Sequence, residues 1–187
     1  MNAAAGLLLF DLDGTLIDSA PDLAHALNHG LDAAGLPQLD EQTTRDYIGN
    51  GASRLVHRAI TGTPEGDAET AVFDCVYSAF LDYYAAHVYT FSALYPAVLA
   101  TLEDLTAQGW RLALITNKPV RFTRPILHSA GLSGFFELVI GGDTLAANKP
   151  HTLALLHGAR HYGLSAAHHR LARPHGPRRE DRRHGGR

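Results

Sequence analysis

Three short apolar segments of strand length place the strongest constraint on the fold of this chain. They cover residues 6–10, 111–115 and 138–140, and each ends in polar residues or glycine. Continuous apolar runs of this length are typical of strands that are buried on both faces of a sheet. Segments with helical spacing lie between them, so parallel pairing through helical crossovers is expected. The pattern predicts an α/β protein with a Rossmann-like parallel sheet flanked by helices.

The segment between the first two strands is far longer than the dozen or so residues that a crossover requires. Its apolar residues recur at helical spacing, as do Leu23, Leu27 and Leu31. We therefore interpret residues 17–91 as an inserted, all-helical cap. Residues 1–16 and 92–165 then form the α/β core, and residues 166–187 form a separate tail.

Two carboxylates follow the first predicted strand. Asp11 and Asp13 are two residues apart, so in an extended chain both side chains point to one side. Paired acids in a cleft can supply one nucleophile or metal ligand and one acid/base group. The alternative interpretation is a solvated turn or a helix cap. Ligands of parallel sheets bind at the carboxyl ends of the strands, where Thr116 and Asp143 are also expected.

Three motifs occur in an order that is typical of one superfamily. They are FDLDGTLIDS at residues 10–19, LITNKP at residues 114–119, and Lys149 followed by Pro150. Together they resemble the three signatures of the haloacid dehalogenase superfamily, whose members attack phosphate esters with an aspartate. Further segments, among them residues 49–51 and 141–143, are similar to its phosphoglycolate phosphatase branch.

The resemblance implies a role for each matching residue. Asp11 is the expected nucleophile, which forms an aspartyl phosphate. Asp13 is expected to protonate the leaving alkoxide and then to activate the hydrolytic water. Thr116 and Asn117 are expected to bind a phosphoryl oxygen, and Lys149 to hold the phosphate beside the nucleophile.

The resemblance also implies Mg²⁺ as a cofactor, with the Asp11 carboxylate and the backbone carbonyl of Asp13 as ligands. A carboxylate that approaches a phosphate dianion is repelled, by about 4 kcal/mol for one like-charge pair at 4 Å and an effective dielectric near 20. Mg²⁺ accepts oxygen ligands and offsets such a charge.

Several of these residues also have plainer interpretations. Thr116 could be a helix N-cap, and Lys149 a solvated loop lysine. Lys118 is interpreted as a surface or substrate-edge residue. Asp143 could face the cleft or cap a turn, and Tyr84 is expected in the core of the cap.

The carboxyl-terminal segment departs from the superfamily pattern. The fourth signature, a strand that ends in Gly-Asp with another acid four residues on, is absent, and the acids after Lys149 are Glu180 and Asp181. Leu171 is the single large aliphatic residue in 170–187. We therefore expect residues 166–187 to be disordered and to supply no strand, which leaves the core incomplete. We interpret this end as altered or frameshifted.

Charge and cysteine content limit the expected binding partners and the expected cellular compartment. Residues 1–169 carry 9 Lys+Arg and 17 Asp+Glu, which argues against nucleic acid as a partner. Cys75 is the one cysteine, as expected in a reducing compartment. No segment has the pattern of a signal peptide or a membrane span, so we expect a cytoplasmic protein.

The leading hypothesis is a Mg²⁺-dependent phosphatase that acts on a small phosphorylated acid, with 2-phosphoglycolate as the favoured substrate. A sugar phosphomutase, or a phosphatase of other small esters, is the alternative on the same scaffold. A dehalogenase is disfavoured, because carbon–halogen cleavage produces no alkoxide for Asp13 to protonate. An inactive phosphate-binding remnant stays open, since one metal carboxylate is missing.

Overall fold

The computed structural model describes residues 6–144 and the backbone of residues 169–171. The strands are β1 Gly6–Phe10, β2 Ile17–Asp18, β3 Ala93–Leu94, β4 Trp110–Ile115, β5 Leu138–Ile140 and β6 His169–Leu171. The helices are α1 Ala20–Ala33, α2 Glu41–Tyr47, α3 Ala52–Thr61, α4 Thr70–Ala86, α5 Val98–Ala107 and α6 Val120–Ser129. None of the helices in the described ranges is both long enough and apolar enough to cross a membrane.

Within the described residues, four strands form one parallel sheet in the order β5-β4-β1-β6. The central strands β1 and β4 pair with Leu8 opposite Leu112. Leu7 and Leu9 point to one face of β1, and both are almost fully buried. Helices separate the first three parallel strands along the chain, as crossover connections between parallel strands require. This arrangement confirms the predicted α/β fold with a parallel sheet flanked by helices.

The expectation that residues 166–187 supply no strand is wrong for β6. His169, Arg170 and Leu171 pair in parallel with Leu7, Leu8 and Leu9 of β1. Parallel pairing is made by backbone N–H and C=O groups, so a short strand can form without a run of apolar side chains. Lys149, Glu180, Asp181 and the rest of the expected tail lie outside the described residues.

Helix α5 packs toward the sheet through one of its faces. Val98, Leu102 and Leu105 form a single i, i+4, i+7 stripe that packs in the core around the sheet. Leu99, on the same helix, is 42% exposed. The reason is its position about 100° around the helix from Val98.

The segment that we interpret as a cap contains its own apolar core. Side chains of α1, α3 and α4, including Leu27, Val56 and Phe80, form a cluster distinct from the two around the sheet, and Phe122 of α6 also joins it. Helices α1 and α4 pack so closely that a Cβ on Gly30 would lie 2.6 Å from the backbone oxygen of Val76. The division into core and cap stays an interpretation, and this cluster supports it.

The chain passes between the core and the cap segment twice, and contacts join the two passages. The strands β2 and β3 pair antiparallel, with Ile17 opposite Leu94. Asp22 on α1 is 2% exposed. Its carboxylate accepts hydrogen bonds from the backbone N–H groups of Thr90, Phe91 and Ser92 at 3.0, 2.8 and 3.0 Å, and from the Ser92 hydroxyl at 2.5 Å. Sequence analysis did not identify Asp22 as important.

Candidate active site

The turn after β1 presents Asp11 and Asp13 to one cavity. Leu12, between them, is fully buried, and its carbonyl accepts hydrogen bonds from the backbone N–H groups of Thr15, Leu16 and Ile17. Gly14 has a φ of +74°, a conformation that favours glycine. The Asp11 carboxylate accepts the N–H of Leu12 at 2.8 Å. Strand alternation and a tight turn thus place both acids at the carboxyl edge of the sheet.

The loop after β4 supplies the second wall. Thr116 is buried, and its N–H donates to the Ile140 carbonyl of the neighbouring strand. Its hydroxyl oxygen accepts the N–H of Lys118 at 3.1 Å, which leaves the hydroxyl proton available for donation. Thr116 is not the N-cap of α6, because that helix begins at Val120 and its N-cap is Pro119. Thr116 and Asn117 both line the cavity.

Asp143 stabilises the loop after β4 through a hydrogen bond to the start of α6. Its Oδ1 accepts the N–H of Val120 at 2.8 Å, so the carboxylate caps the start of α6. Of its two interpretations, the capping one is correct. Gly142 donates its N–H to the Lys118 carbonyl at 3.0 Å.

We expect Gly142→Ala to lower the free energy of unfolding by about 1–3 kcal/mol, as overpacking does. A Cβ at this position would collide with the backbone carbonyl of Asn117, which cannot move without displacing the loop. Urea denaturation measures the change. Gly134→Ala is the matched control, because a Cβ there meets nothing within 4 Å. Equal stability of the two variants would contradict the tight contact.

Lys118 is buried, so its interpretation as a surface residue is wrong, whereas its place in the cavity lining agrees with the substrate-edge alternative. Its Nζ lies 3.0 Å from Oδ1 of Asp13 and donates to the hydroxyl of Tyr84 at 2.9 Å. The Lys118 side chain is 6% exposed and that of Asp13 is 19% exposed. Burial alone would lower the pKa of Lys118, but the Asp13 carboxylate and Tyr84 outweigh it and hold the pKa above its ordinary value. Lys118 is therefore an ammonium at neutral pH.

Tyr84 connects α4 to this ion pair. It is 2% exposed and packs edge-on against Phe122, which confirms its predicted place in a buried core. It also lines the cavity, which sequence analysis missed. Burial raises the pKa of its phenol more than the nearby Lys118 lowers it, so the hydroxyl is neutral at physiological pH. The sequence did contain a signal for this ion pair. Lys118 lies two residues after Thr116 in LITNKP, and it is one of only two lysines in the chain.

One cavity unites these groups. Its polar wall consists of Asp11, Asp13, Thr116, Asn117 and Lys118. The facing wall is mostly apolar and is formed by Leu23, Ile48, Gly49, Gly51, Ala52, Leu55, Phe80 and Tyr84. Four of the five sequence-predicted site residues thus line the same cavity, and Lys149 lies outside the described residues.

The donor chemistry at the floor of the cavity suits Mg²⁺. Asp11 carries a carboxylate and Asp13 a backbone carbonyl, and Mg²⁺ is commonly bound through one or two carboxylates, waters and substrate phosphate. Within 6–144, no cluster of three or more His, Cys, Asp or Glu residues could hold a metal ion on its own. The residues present therefore fit an open magnesium site rather than a closed protein cage.

Comparisons with known proteins agree with this geometry. The profile of the haloacid dehalogenase-like hydrolases matches residues 8–169. A phosphoglycolate phosphatase of Nitrosococcus oceani is 41% identical over 159 residues, which cover 85% of this chain and 71% of that protein. The phosphoglycolate phosphatase of Colwellia psychrerythraea is 45% identical over 161 residues, which cover 84% and 69%.

Solved structures show the same likeness. The crystal structure of a predicted phosphoglycolate phosphatase from Haemophilus somnus superimposes with a TM-score of 0.81 at 36% identity, covering 89% of this chain and 75% of that one. The profile spans both the acids after β1 and the loop after β4, and the relatives match over most of their own length. The chain therefore belongs to the haloacid dehalogenase-like hydrolases.

Proposed function

We propose that this chain is a phosphatase of small phosphate monoesters, with 2-phosphoglycolate as the favoured substrate and glycolate and phosphate as products. The observation that carries the proposal is the meeting of Asp11, Asp13 and Thr116 in one cavity beside the buried ammonium of Lys118. The relatives named phosphoglycolate phosphatase support the choice of substrate.

In the first step, a carboxylate oxygen of Asp11 attacks the phosphorus of the ester. A bond forms between that oxygen and phosphorus, and the bond between phosphorus and the alkoxide oxygen breaks. Asp13 must carry a proton at this step, and it delivers that proton to the departing oxygen, so the product leaves as an alcohol. We assign to the Thr116 hydroxyl and the Asn117 N–H the donation of hydrogen bonds to phosphoryl oxygens, as the resemblance implies.

In the second step, water hydrolyses the aspartyl phosphate. Asp13, now ionised, accepts a proton from this water as the water oxygen bonds to phosphorus. The bond between phosphorus and Asp11 breaks, and phosphate leaves. Both acids return to their starting protonation states. Asp13 donates a proton in the first step and accepts one in the second. It must therefore lie beside the nucleophile.

The Asp11 carboxylate and the Asp13 carbonyl would hold Mg²⁺. When bound, the ion offsets the repulsion between the nucleophile and the phosphate dianion, about 4 kcal/mol for each like-charge pair at 4 Å and an effective dielectric near 20. We also assign Lys149 a share of this charge compensation, as the resemblance implies.

The apolar wall of the cavity argues against a sugar phosphate as the substrate. Leu23, Leu55 and Phe80 offer no hydrogen-bonding groups to sugar hydroxyls. A site that holds a polyol needs such partners, because desolvated hydroxyls without them cost free energy. This observation favours a phosphatase over the mutase alternative. A small phosphorylated metabolite is thus the proposed partner, and the reducing cytoplasm is the proposed compartment.

Phosphate release from a panel of esters, measured with and without Mg²⁺, tests the proposal. We expect the highest kcat/KM with 2-phosphoglycolate and little turnover once Mg²⁺ is chelated. Faster turnover of hexose phosphates, or transfer of the phosphoryl group to a sugar hydroxyl, would favour the mutase. Binding of inorganic phosphate without turnover of any ester would identify the chain as an inactive remnant.

A further inference from the structure

Lys118 contacts groups from two separate parts of the chain. Asp13 follows β1 at the sheet, whereas Tyr84 belongs to α4, which packs with the helices of the cap segment. Both contacts use the same ammonium. All three residues line the cavity, so this buried ion pair lies inside the site rather than behind it.

A buried ammonium carries a large desolvation cost unless its partners are well placed. Lys118 has two such partners and also lies 4.9 Å from the centre of the Tyr84 ring. A lysine that served only to fill space would be replaced by an apolar residue at lower cost. Stability alone therefore does not account for a cation at this position.

The contact with Asp13 involves one particular carboxylate oxygen. Nζ of Lys118 lies beside Oδ1, which is buried, so that oxygen is held within the protein. A carboxylate presents two oxygens, and the second, Oδ2, is then the one that can exchange a proton with a substrate oxygen. Proton transfer in a bound complex needs the donor oxygen within about 2.6–3.2 Å of its acceptor. Rotation of the Asp13 side chain by one rotamer would remove that contact.

We propose that Lys118 is a positioning residue that holds Oδ1 of Asp13, so that Oδ2 faces the leaving-group oxygen, and that Tyr84 holds Lys118 in place. This inference rests on the proposed phosphatase function. It gives roles to Lys118 and Tyr84, to which the resemblance assigns none. It also makes the orientation of Asp13 depend on the position of α4.

The dependence of rate on the leaving group tests the inference. An alkoxide leaves poorly without a proton, whereas p-nitrophenolate leaves readily as an anion. We expect Lys118→Met to lower kcat/KM for 2-phosphoglycolate by about 10–100-fold, within the range of general acid catalysis. With p-nitrophenyl phosphate we expect a loss at least about 5-fold smaller than with 2-phosphoglycolate, because its departure needs no general acid. The parameter kcat/KM is chosen because it excludes the later hydrolysis of the aspartyl phosphate.

Tyr84→Phe provides a second variant that removes one hydroxyl and keeps the ring. We expect it to shift the ratio of the two kcat/KM values in the same direction, by a smaller factor. Tyr77→Phe on the same helix is the matched control, since Tyr77 does not line the cavity, and it should leave the ratio unchanged.

The ratio also separates positioning from folding. A variant that folds only in part loses activity toward both esters by the same factor. An equal loss with both substrates would overturn the positioning role and leave the proposed function intact. A wild-type chain that releases phosphate from neither ester would overturn both proposals.

Discussion

Asp11→Asn is expected to abolish phosphate release from 2-phosphoglycolate, with kcat reduced by about 10⁴-fold or more, as for other deleted nucleophiles. The substitution exchanges one oxygen of the side chain for NH₂ and changes its volume little. The amide oxygen has little nucleophilicity, so no aspartyl phosphate can form. Initial rates of phosphate release measure the effect, and mass spectrometry detects the phosphorylated chain in the wild type alone.

The fold should survive this substitution. The side-chain oxygen of the introduced amide can still accept the N–H of Leu12, which the carboxylate of Asp11 accepts at 2.8 Å. We therefore expect a circular dichroism spectrum and a Tm close to those of the wild type. Asp32→Asn, at an exposed position of α1, serves as the control for the same chemical change. A loss smaller than about tenfold at Asp11, with the fold intact, would contradict its role as the nucleophile.

The second large effect concerns stability. Asp22→Asn is expected to lower the free energy of unfolding by about 3 kcal/mol, because hydrogen bonds to a charged acceptor are worth about 1.5–3 kcal/mol each and buried donors left unpaired add to the cost. The wild-type carboxylate accepts three backbone N–H groups and a hydroxyl, all from residues 90–92. An amide NH₂ turned toward the same donors cannot accept any of them.

Urea denaturation monitored by circular dichroism measures this loss. Asp32→Asn lies on the same helix and changes the same functional group in solvent, so its effect should stay within about 0.5 kcal/mol. If Asp22→Asn were as stable as this control, the clamp between α1 and residues 90–92 would contribute nothing. The hydrogen bonds of Asp22 lie where the chain passes between the core and the cap segment. We therefore also expect them to limit how far that segment can move.

Local sequence patterns were sufficient to predict the frame of the site. The apolar runs predicted β1, β4 and β5, and their polar ends predicted where ligand-binding side chains lie. Asp11 and Asp13 occupy alternate positions just after β1, and the local turn brings both to one cavity, so their arrangement depends on a few neighbouring residues. The order of the motifs then predicted that the loop after β4 would join them.

Tertiary structure decided which polar groups are buried and what they contact. The neighbouring sequence does not state whether Lys118 is solvated or buried. In the fold its ammonium is buried and donates to Tyr84, 34 residues earlier in the chain. Asp22 meets residues about 70 positions away, and Asp143 caps a helix that begins 23 residues before it. The strand β6 likewise forms through backbone pairing with β1, despite side chains that argued against it.

The physical reason for this division is the range of the interactions. Secondary structure and the direction of a side chain from a strand depend on backbone sterics and on residues within about one helical turn, so a sequence pattern records them. Burial of a charge depends on whether distant groups supply a partner that offsets its desolvation. That partner exists only once the helices have packed onto the sheet, and the sequence alone does not state which groups will meet.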